Sequence, residues 1–311
     1  MSNVESVTQA ETPAAATAPN GGDGGAEKPR SLASDAWRDL RRNWIFWVAA
    51  VLVVLVVVMA AFPGLFTSAD PSFCQLSRQH AGPSGSAIFG YDFQGCDVYA
   101  RTIYGARNSV AIGLLATLMS GAISLVIGMA AGYFGGWVDA LLARGIDIVL
   151  GIPTLLAAIV LARRLSDPED SGFLPVVLTL GVLTWTTGAR IMRSSVIAAK
   201  SQDYVAAARM LGAGHARLMF RHILPNAAAP FVVVLTILLG ANIATEATLT
   251  FLGVGLRGDE ISWGIDISQA SQFVREAPAP LVWPALFLAA TVLAFIMLGD
   301  AIRDAFDPRL R

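Results

Sequence analysis

The chain has 311 residues, 55% of them hydrophobic and 14% charged, with a mean hydropathy of +0.59 and a formal net charge of −1. It is too apolar and too weakly charged for an ordinary soluble protein, and no acidic or basic tract points to a nucleic-acid partner. The composition instead predicts an all-α polytopic integral membrane protein, solvated by membrane lipid.

Residues 1–29 are rich in Ala, Pro, Gly, Thr and Glu and bury too little apolar surface to offset ordering entropy, so residues 1–36 are expected to begin as a disordered tail. Ser34 or Asp35 starts a short segment in which Trp37 and Leu40 stand beside Arg38, Arg41 and Arg42, an amphipathic approach to the membrane surface. Residues 44–62 are uncharged and match the ~20 residues needed to cross the hydrocarbon core. A secretory signal would have a shorter apolar core nearer the N-terminus. Pro63 and Gly64 end this first span, and a polar loop over residues 70–107 completes a first unit, 37–107.

The remaining core, 108–303, holds five more spans. The second runs over 109–133 and turns at Gly135-Gly136. The third, from Leu141 to Ala162, contains Arg144 and Asp147, three apart and able to pair on one helix face. A polar connection over 163–172 leads to the fourth span, 173–189. The fifth covers 227–245 and continues past Glu246 to Gly255, with bends expected at Pro230 and Gly240. A polar loop, 256–276, precedes the sixth span, 277–299, and a charged end covers 304–311.

Between the fourth and fifth spans lies the most unusual stretch, residues 201–230, with Arg209, His215, Arg217, Arg221 and His222 close together. Ser201 or Asp203 is placed to cap a helix over 204–211 that is built on Ala206, Ala207 and Ala208. Gly212-Ala213-Gly214 stops that helix, and a second, 215–224, is expected to end or turn at Pro225. Such a compact knob suits insertion into a partner's groove. With the N-terminus in the cytoplasm, fifteen Lys and Arg fall inside and seven outside. That places the knob and both termini on the cytoplasmic side of the cell membrane.

Ala206-Ala207 with Gly212, followed by Leu224-Pro225, resembles the EAA loop of ABC importer permeases. Further blocks agree: FGYDFQGCDVYARTIYGARNSV (89–110), AGYFGGWVDALLAR (131–144), ATLTFLGVG (247–255), SWG (262–264) and LGDAIRDAFDPR (298–309). Together they resemble the second permease of dipeptide and oligopeptide importers over residues 37–309. The resemblance implies a type I (MetI-like) permease fold with six transmembrane helices. It also implies a partner permease, paired ABC ATPases that hold ATP and Mg2+, and an extracytoplasmic substrate-binding protein. No cofactor is expected on this chain. The coupling stretch 201–225 would dock on the ATPase through Asp203, Tyr204, Ala206, Ala207, Arg209, Gly212, His215, Arg221 and Pro225. The family usually has Glu where Ala206 stands, and Asp203 is a stand-in; it commonly has Arg where Cys96 stands.

No Gly-x-x-x-x-Gly-Lys-Ser/Thr loop, His-Glu-x-x-His, Cys-x-x-Cys or Gly-x-Ser-x-Gly occurs, so no catalytic role and no metal site are expected. His80, His215 and His222 read as surface or docking residues. Glu246, with Asn242 near it, is a candidate for the pore or its gate, for a proton relay, or for a structural pair; the resemblance places Glu246 at the outer gate. Cys74 and Cys96 share one external loop and form either a disulfide or two free thiols. Asp92, Asp97, Arg101, Arg107, Arg257, Asp259, Glu260 and Trp263 offer charge and an aromatic anchor to the binding protein, or line ordinary solvated loops. The solute is a dipeptide, a longer peptide, or a haem or metal chelate; an ion-coupled secondary transporter is the rival class.

Overall fold

The computed structural model describes residues 32–167 and 171–306, with side chains from Trp37 onward. The expected tail over 1–29 and the charged end beyond residue 306 lie outside the described residues. Regular structure within them is helical, and the extended contacts are isolated bridges only. Five helical runs are long and apolar enough to cross a membrane, and a sharply bent pair supplies a sixth when taken as one span.

A short helix, α1 (Leu32–Arg42), leads into α2 (Trp44–Ala61), whose start is capped by the Asn43 side chain accepting from the Ile45 N–H at 2.9 Å. α2 is apolar on all sides, burying Ala49, Val56 and Met59 and exposing Val51 and Val54, as a lipid-facing span does. The polar loop ends earlier than residue 107. Asp97 accepts from the Tyr99 and Ala100 N–H groups and starts α3 (Val98–Phe134) there. At 37 residues α3 is about 55 Å long, so it overreaches a ~30 Å hydrocarbon core and carries Arg101 and Arg107 as helical residues.

The third span is not one helix. α4 (Gly136–Leu150) and α5 (Thr154–Leu165) meet at 87° across Gly151, Ile152 and Pro153, where proline withholds its N–H. The expected Arg144–Asp147 pair is also replaced. Asp147 accepts from Arg190 at 2.6 Å and Asp139 from Arg193 at 2.5 and 2.7 Å, because the arginines of the next helix, α6 (Phe173–Lys200), approach α4 while Arg144 stays exposed.

After α6 come α7 (Asp203–Met210) and α8 (His215–Arg217), which passes through a π-helical segment (Leu218–Ile223) into α9 (Leu224–Phe251). Pro225 therefore does not end the helix. It sits in the first turn of α9, next to the wide π segment, and the Asn226 amide donates to the His222 carbonyl at 2.8 Å. α10 (Trp263–Ala270) and α11 (Ala279–Phe306) complete the fold, the latter continuing past the expected end at residue 299 because its polar last turns remain helical.

α3, α6 and α9 pack together at the centre, with α2 and α11 alongside. The most extensive packing is between α3 and α6. Gly128 faces Met192 and the Ala189 carbonyl, and Gly132 faces the Arg193 carbonyl and Val196. Small residues at helix crossings let backbones come close where lipid offers no hydrophobic drive to associate. A Cβ on Gly132 would lie 2.8 Å from the Arg193 oxygen and from Val196 Cβ. Gly132→Leu is therefore expected to abolish folded protein in a detergent size-exclusion profile, whereas Gly145→Leu on α4, where a Cβ meets nothing within 4 Å, should leave it unchanged.

Candidate functional site

At one end of the bundle, α7 and α8 form the exposed knob expected from the sequence. Its root is Val205, which is buried with Leu218 and Ile223 against Met129, Tyr133, Met192 and Val196 at the ends of α3 and α6. The cap differs from expectation. Gln202 is the N-cap and makes no side-chain capping bond: its amide donates back to the Ala198 carbonyl at 3.3 Å, the Ser201 hydroxyl donates to the same carbonyl at 2.9 Å, and Asp203 already lies in the first turn. There its carboxylate faces the positive end of the helix dipole. Gly212, at φ +82°, reverses the chain after α7, a conformation that side chains disfavour.

The turn holds Met210 and Leu211 outward, 83% and 88% exposed, with Tyr204 and Phe220 also exposed. Ala206, Ala207, Asp203, Arg209, Arg217, Arg221 and Pro225 share the exposed surface of the stretch. The tip is thus apolar with a cationic surround. Sequence reading missed Met210 and Leu211, although a signal was present: two large apolar residues directly before Gly212, off the α7 face that carries Val205. His215 is a tie more than a free contact. Its Nδ1 hydrogen-bonds the Tyr133 hydroxyl at 2.7 Å, and Lys200 Nζ donates to the Tyr133 carbonyl while lying 5.4 Å from that ring's centroid. The knob is thereby fastened to the ends of α3 and α6.

At the opposite end, Cys74 and Cys96 form a disulfide, with Cα atoms 4.1 Å apart. Of the two alternatives for these cysteines, the bonded one holds. Mass analysis with alkylation should accordingly show two added groups only after reduction. Inside the closed loop, Asp92 Oδ1 accepts from the Gln94 and Cys96 N–H groups, each at 2.8 Å, and its Oδ2 lies 3.8 Å from Arg101 Nε. Arg101 donates to Asp266 Oδ1 from Nε at 2.9 Å and from Nη2 at 2.6 Å. Burial pushes the Asp266 carboxyl above the usual carboxylate range, against the opposing pull of the Arg101 guanidinium.

Several residues expected at an outward contact are thus internal. Asp92, Arg101 and Trp263 are buried; Trp263 donates from Nε1 to the Thr102 carbonyl at 2.8 Å and from its backbone N–H to Ser109 Oγ at 3.3 Å. A ring with no exposed surface is not an anchor for a partner in this conformation. Asp97 caps α3, Glu260 accepts from Asn108 at 2.7 Å, and Asp259 is the acidic group that stays exposed. The buried interior also holds both gate candidates. Asn242 donates to Thr117 Oγ1 at 2.9 Å, and the Thr250 hydroxyl donates to Glu246 Oε1 at 3.0 Å. Neither lines an open passage here; α3 and α10 cover them. No group of three or more His, Cys, Asp or Glu fit to hold a metal occurs among the described residues.

Residues 124–311 match the family described as binding-protein-dependent transport system inner membrane component, and residues 31–83 match the N-terminal transmembrane domain of oligopeptide transport permease C. The chain belongs to the binding-protein-dependent permease family. This permease is 35% identical to the oligopeptide transport system permease protein OppC of Bacillus subtilis over 303 residues, 96% of each chain. It is 32% identical to the dipeptide transport system permease protein DppC of Alkalihalophilus pseudofirmus, over 89% of this chain and 90% of that one. It is 34% identical to the glutathione transport system permease protein GsiD of Escherichia coli O157:H7, over 88% and 90%. Among solved structures, a chain of the MetNI methionine ABC transporter in an inward-facing conformation superposes with a TM-score of 0.54 at 18% identity, covering 66% of the permease and 96% of that chain. The type I, MetI-like fold is thereby established for its core.

Proposed function

We propose that this permease forms one transmembrane half of an ATP-driven importer of di- or oligopeptides, with its knob docked on an ABC ATPase. The observation that carries the reading is the exposed apolar tip at Met210 and Leu211, on a knob whose root lies in the packed core of α3, α6 and α9. The named activities of its relatives supply the solute class. The chain contributes no catalytic group of its own; ATP and Mg2+ belong to the partner ATPases. Both termini and the knob face the cytoplasm, and a second permease completes the pore.

The knob's EAA-like stretch works as a lever in this reading. Closure of the ATPase dimer on ATP moves the groove that holds α7, and Val205, Leu218 and Ile223 pass that displacement to the inner ends of α3, α6 and α9. Ala206 leaves the family's usual Glu position without charge, and Asp203, three residues earlier on α7 and exposed, supplies a carboxylate on the same helix face. A ligand shifts an equilibrium only through differential affinity for its states, so ATP acts at the partner and this chain transmits the result. Asp259 and the disulfide-closed loop lie at the end that meets the substrate-binding protein.

The test is ATPase activity of the complex purified through this chain, in lipid nanodiscs, with and without binding protein and a peptide mixture. Peptide-loaded binding protein is expected to stimulate hydrolysis, and Gly212→Pro, which breaks the turn at φ +82°, to remove that stimulation. Stimulation by a haem or metal-chelate binding protein, with none by peptide, would move the solute class and leave the coupling role in place. Absence of any co-purifying ATPase would overturn both.

A further inference from the structure

We propose that α1 is a binding site for the headgroups of anionic phospholipids. Depth is fixed by α2. Its 18 residues span about 27 Å, barely the ~30 Å hydrocarbon core, so no part of α2 is spare and Trp44 must lie at the boundary. Arg42 stands two residues before Trp44, and Arg38 and Arg41 lie on the same last turns of α1. All three guanidinium groups therefore fall in the headgroup layer, where all three arginines are exposed.

Aromatic residues mark the same level. Trp37, Trp44 and Trp47 are exposed; Trp37 meets Phe46 edge-on at 6.3 Å, and Phe46 meets Trp47 at 5.6 Å. Such rings gather at membrane interfaces because one part is apolar and another hydrogen-bonds. Trp47 Nε1 donates to the Arg41 carbonyl at 3.1 Å, and the Arg41 guanidinium lies 5.2 Å from the Trp37 ring centroid. These contacts hold the end of α1 at the boundary. Leu40 packs on Ala301 and Ala305 of α11, which keeps the opposite side of the helix on protein.

Charge then selects the occupant. α1 carries three Arg against Asp35 and Asp39, and the three lie within six residues of the boundary at Trp44. Asp39 sits one turn from Arg42 and offsets it in part, while Arg38 and Arg41 are neighbours at i and i+3. Guanidinium groups match phosphate with paired N–H donors, and a basic residue at a membrane surface draws anionic lipid by about fivefold. Zwitterionic headgroups offer no such net attraction.

The test uses the full complex in nanodiscs that contain a photoactivatable phosphatidylglycerol, or in a parallel set the matching phosphatidylcholine. Labelling is read by peptide mass spectrometry over α1 and the start of α2. Phosphatidylglycerol is expected to label this region about fivefold more than phosphatidylcholine, and the triple variant Arg38→Gln, Arg41→Gln, Arg42→Gln to bring the ratio near one. A triple Lys variant, which keeps charge, should retain most of the preference. Labelling at the α10 end should not change in either variant. Equal labelling by the two lipids in the native chain would overturn the site, as would a preference that survives in the Gln variant. Loss in the Lys variant as complete as in the Gln variant would show that helix integrity, not charge, sets the labelling.

Discussion

A permease carrying Met210→Glu and Leu211→Glu is expected to reach the membrane in normal amounts and to lose ATP-driven uptake almost completely. Both side chains are more than four-fifths exposed, so the substitutions remove no packing from the bundle and leave Val205, the knob's root, in place. Exposed charge at these positions is compatible with folding. It is not compatible with a dry groove. Apolar residues that anchor the centre of an interface each contribute about 2 kcal/mol or more, roughly thirtyfold in affinity. Two buried, unpaired carboxylates would add their own desolvation cost. Uptake of a labelled peptide in cells and co-purification of the ATPase with the tagged permease both check this, and they should fall together. Arg217→Ala, at the cationic surround, is expected to weaken co-purification only modestly and mainly at low salt, because exposed charge pairs are screened as salt rises. Normal ATPase co-purification with the double Glu variant would show that the ATPase meets a different surface.

The knob was legible because its chemistry is local. Three alanines, a glycine turn and a cluster of cationic residues between apolar runs specify a short exposed helix without help from the rest of the chain. Which side of that helix is rooted was not legible, since Val205, Leu218 and Ile223 are chosen by the ends of α3 and α6. The spans were found for a similar reason: length and apolar composition suffice. Their ends were misjudged wherever polar residues continue a helix beyond the hydrocarbon core. Arg101 and Arg107 read as loop residues by charge, yet Asp97 caps α3 before either of them. The bend at Gly151 to Pro153 was visible as residues and was passed over within a long apolar run. Partners separated by many residues could not be read at all. Asp147 pairs with Arg190, 43 positions away, and not with Arg144 on its own helix. Trp263 looked like an exposed anchor because it sits in a polar stretch, whereas α10 folds back and buries it against α3.

Replacing Arg101 by Leu is expected to cost about 3–5 kcal/mol of stability, the usual penalty for removing one partner of a buried ion pair. The geometry explains why the loss should be that large. Asp266 Oδ1 receives both Arg101 bonds, while its buried Oδ2 has no hydrogen-bond partner in the protein, so without the guanidinium the carboxylate has little left to hold its charge. Asp92 would lose the same neighbour, although its two backbone N–H bonds within the disulfide loop remain. α3, α10 and the loop meet at this one guanidinium. Adding Asp266→Leu to Arg101→Leu removes the stranded carboxylate, and the double variant should recover a substantial part of the loss, since apolar replacement of a whole buried pair is often near neutral. Thermal melting of the purified permease in one detergent, read for both single variants and the double, measures the coupling directly. Additive losses in the double variant would mean that the two side chains act independently and that α10 is held by its other contacts, Trp263, Gly264 and Ile265 among them. Recovery would identify the two side chains as one coupled unit that ties the external loop to α10, whose Gly264 packs against Ala247 and Thr250 of α9, the latter hydrogen-bonded to the buried Glu246.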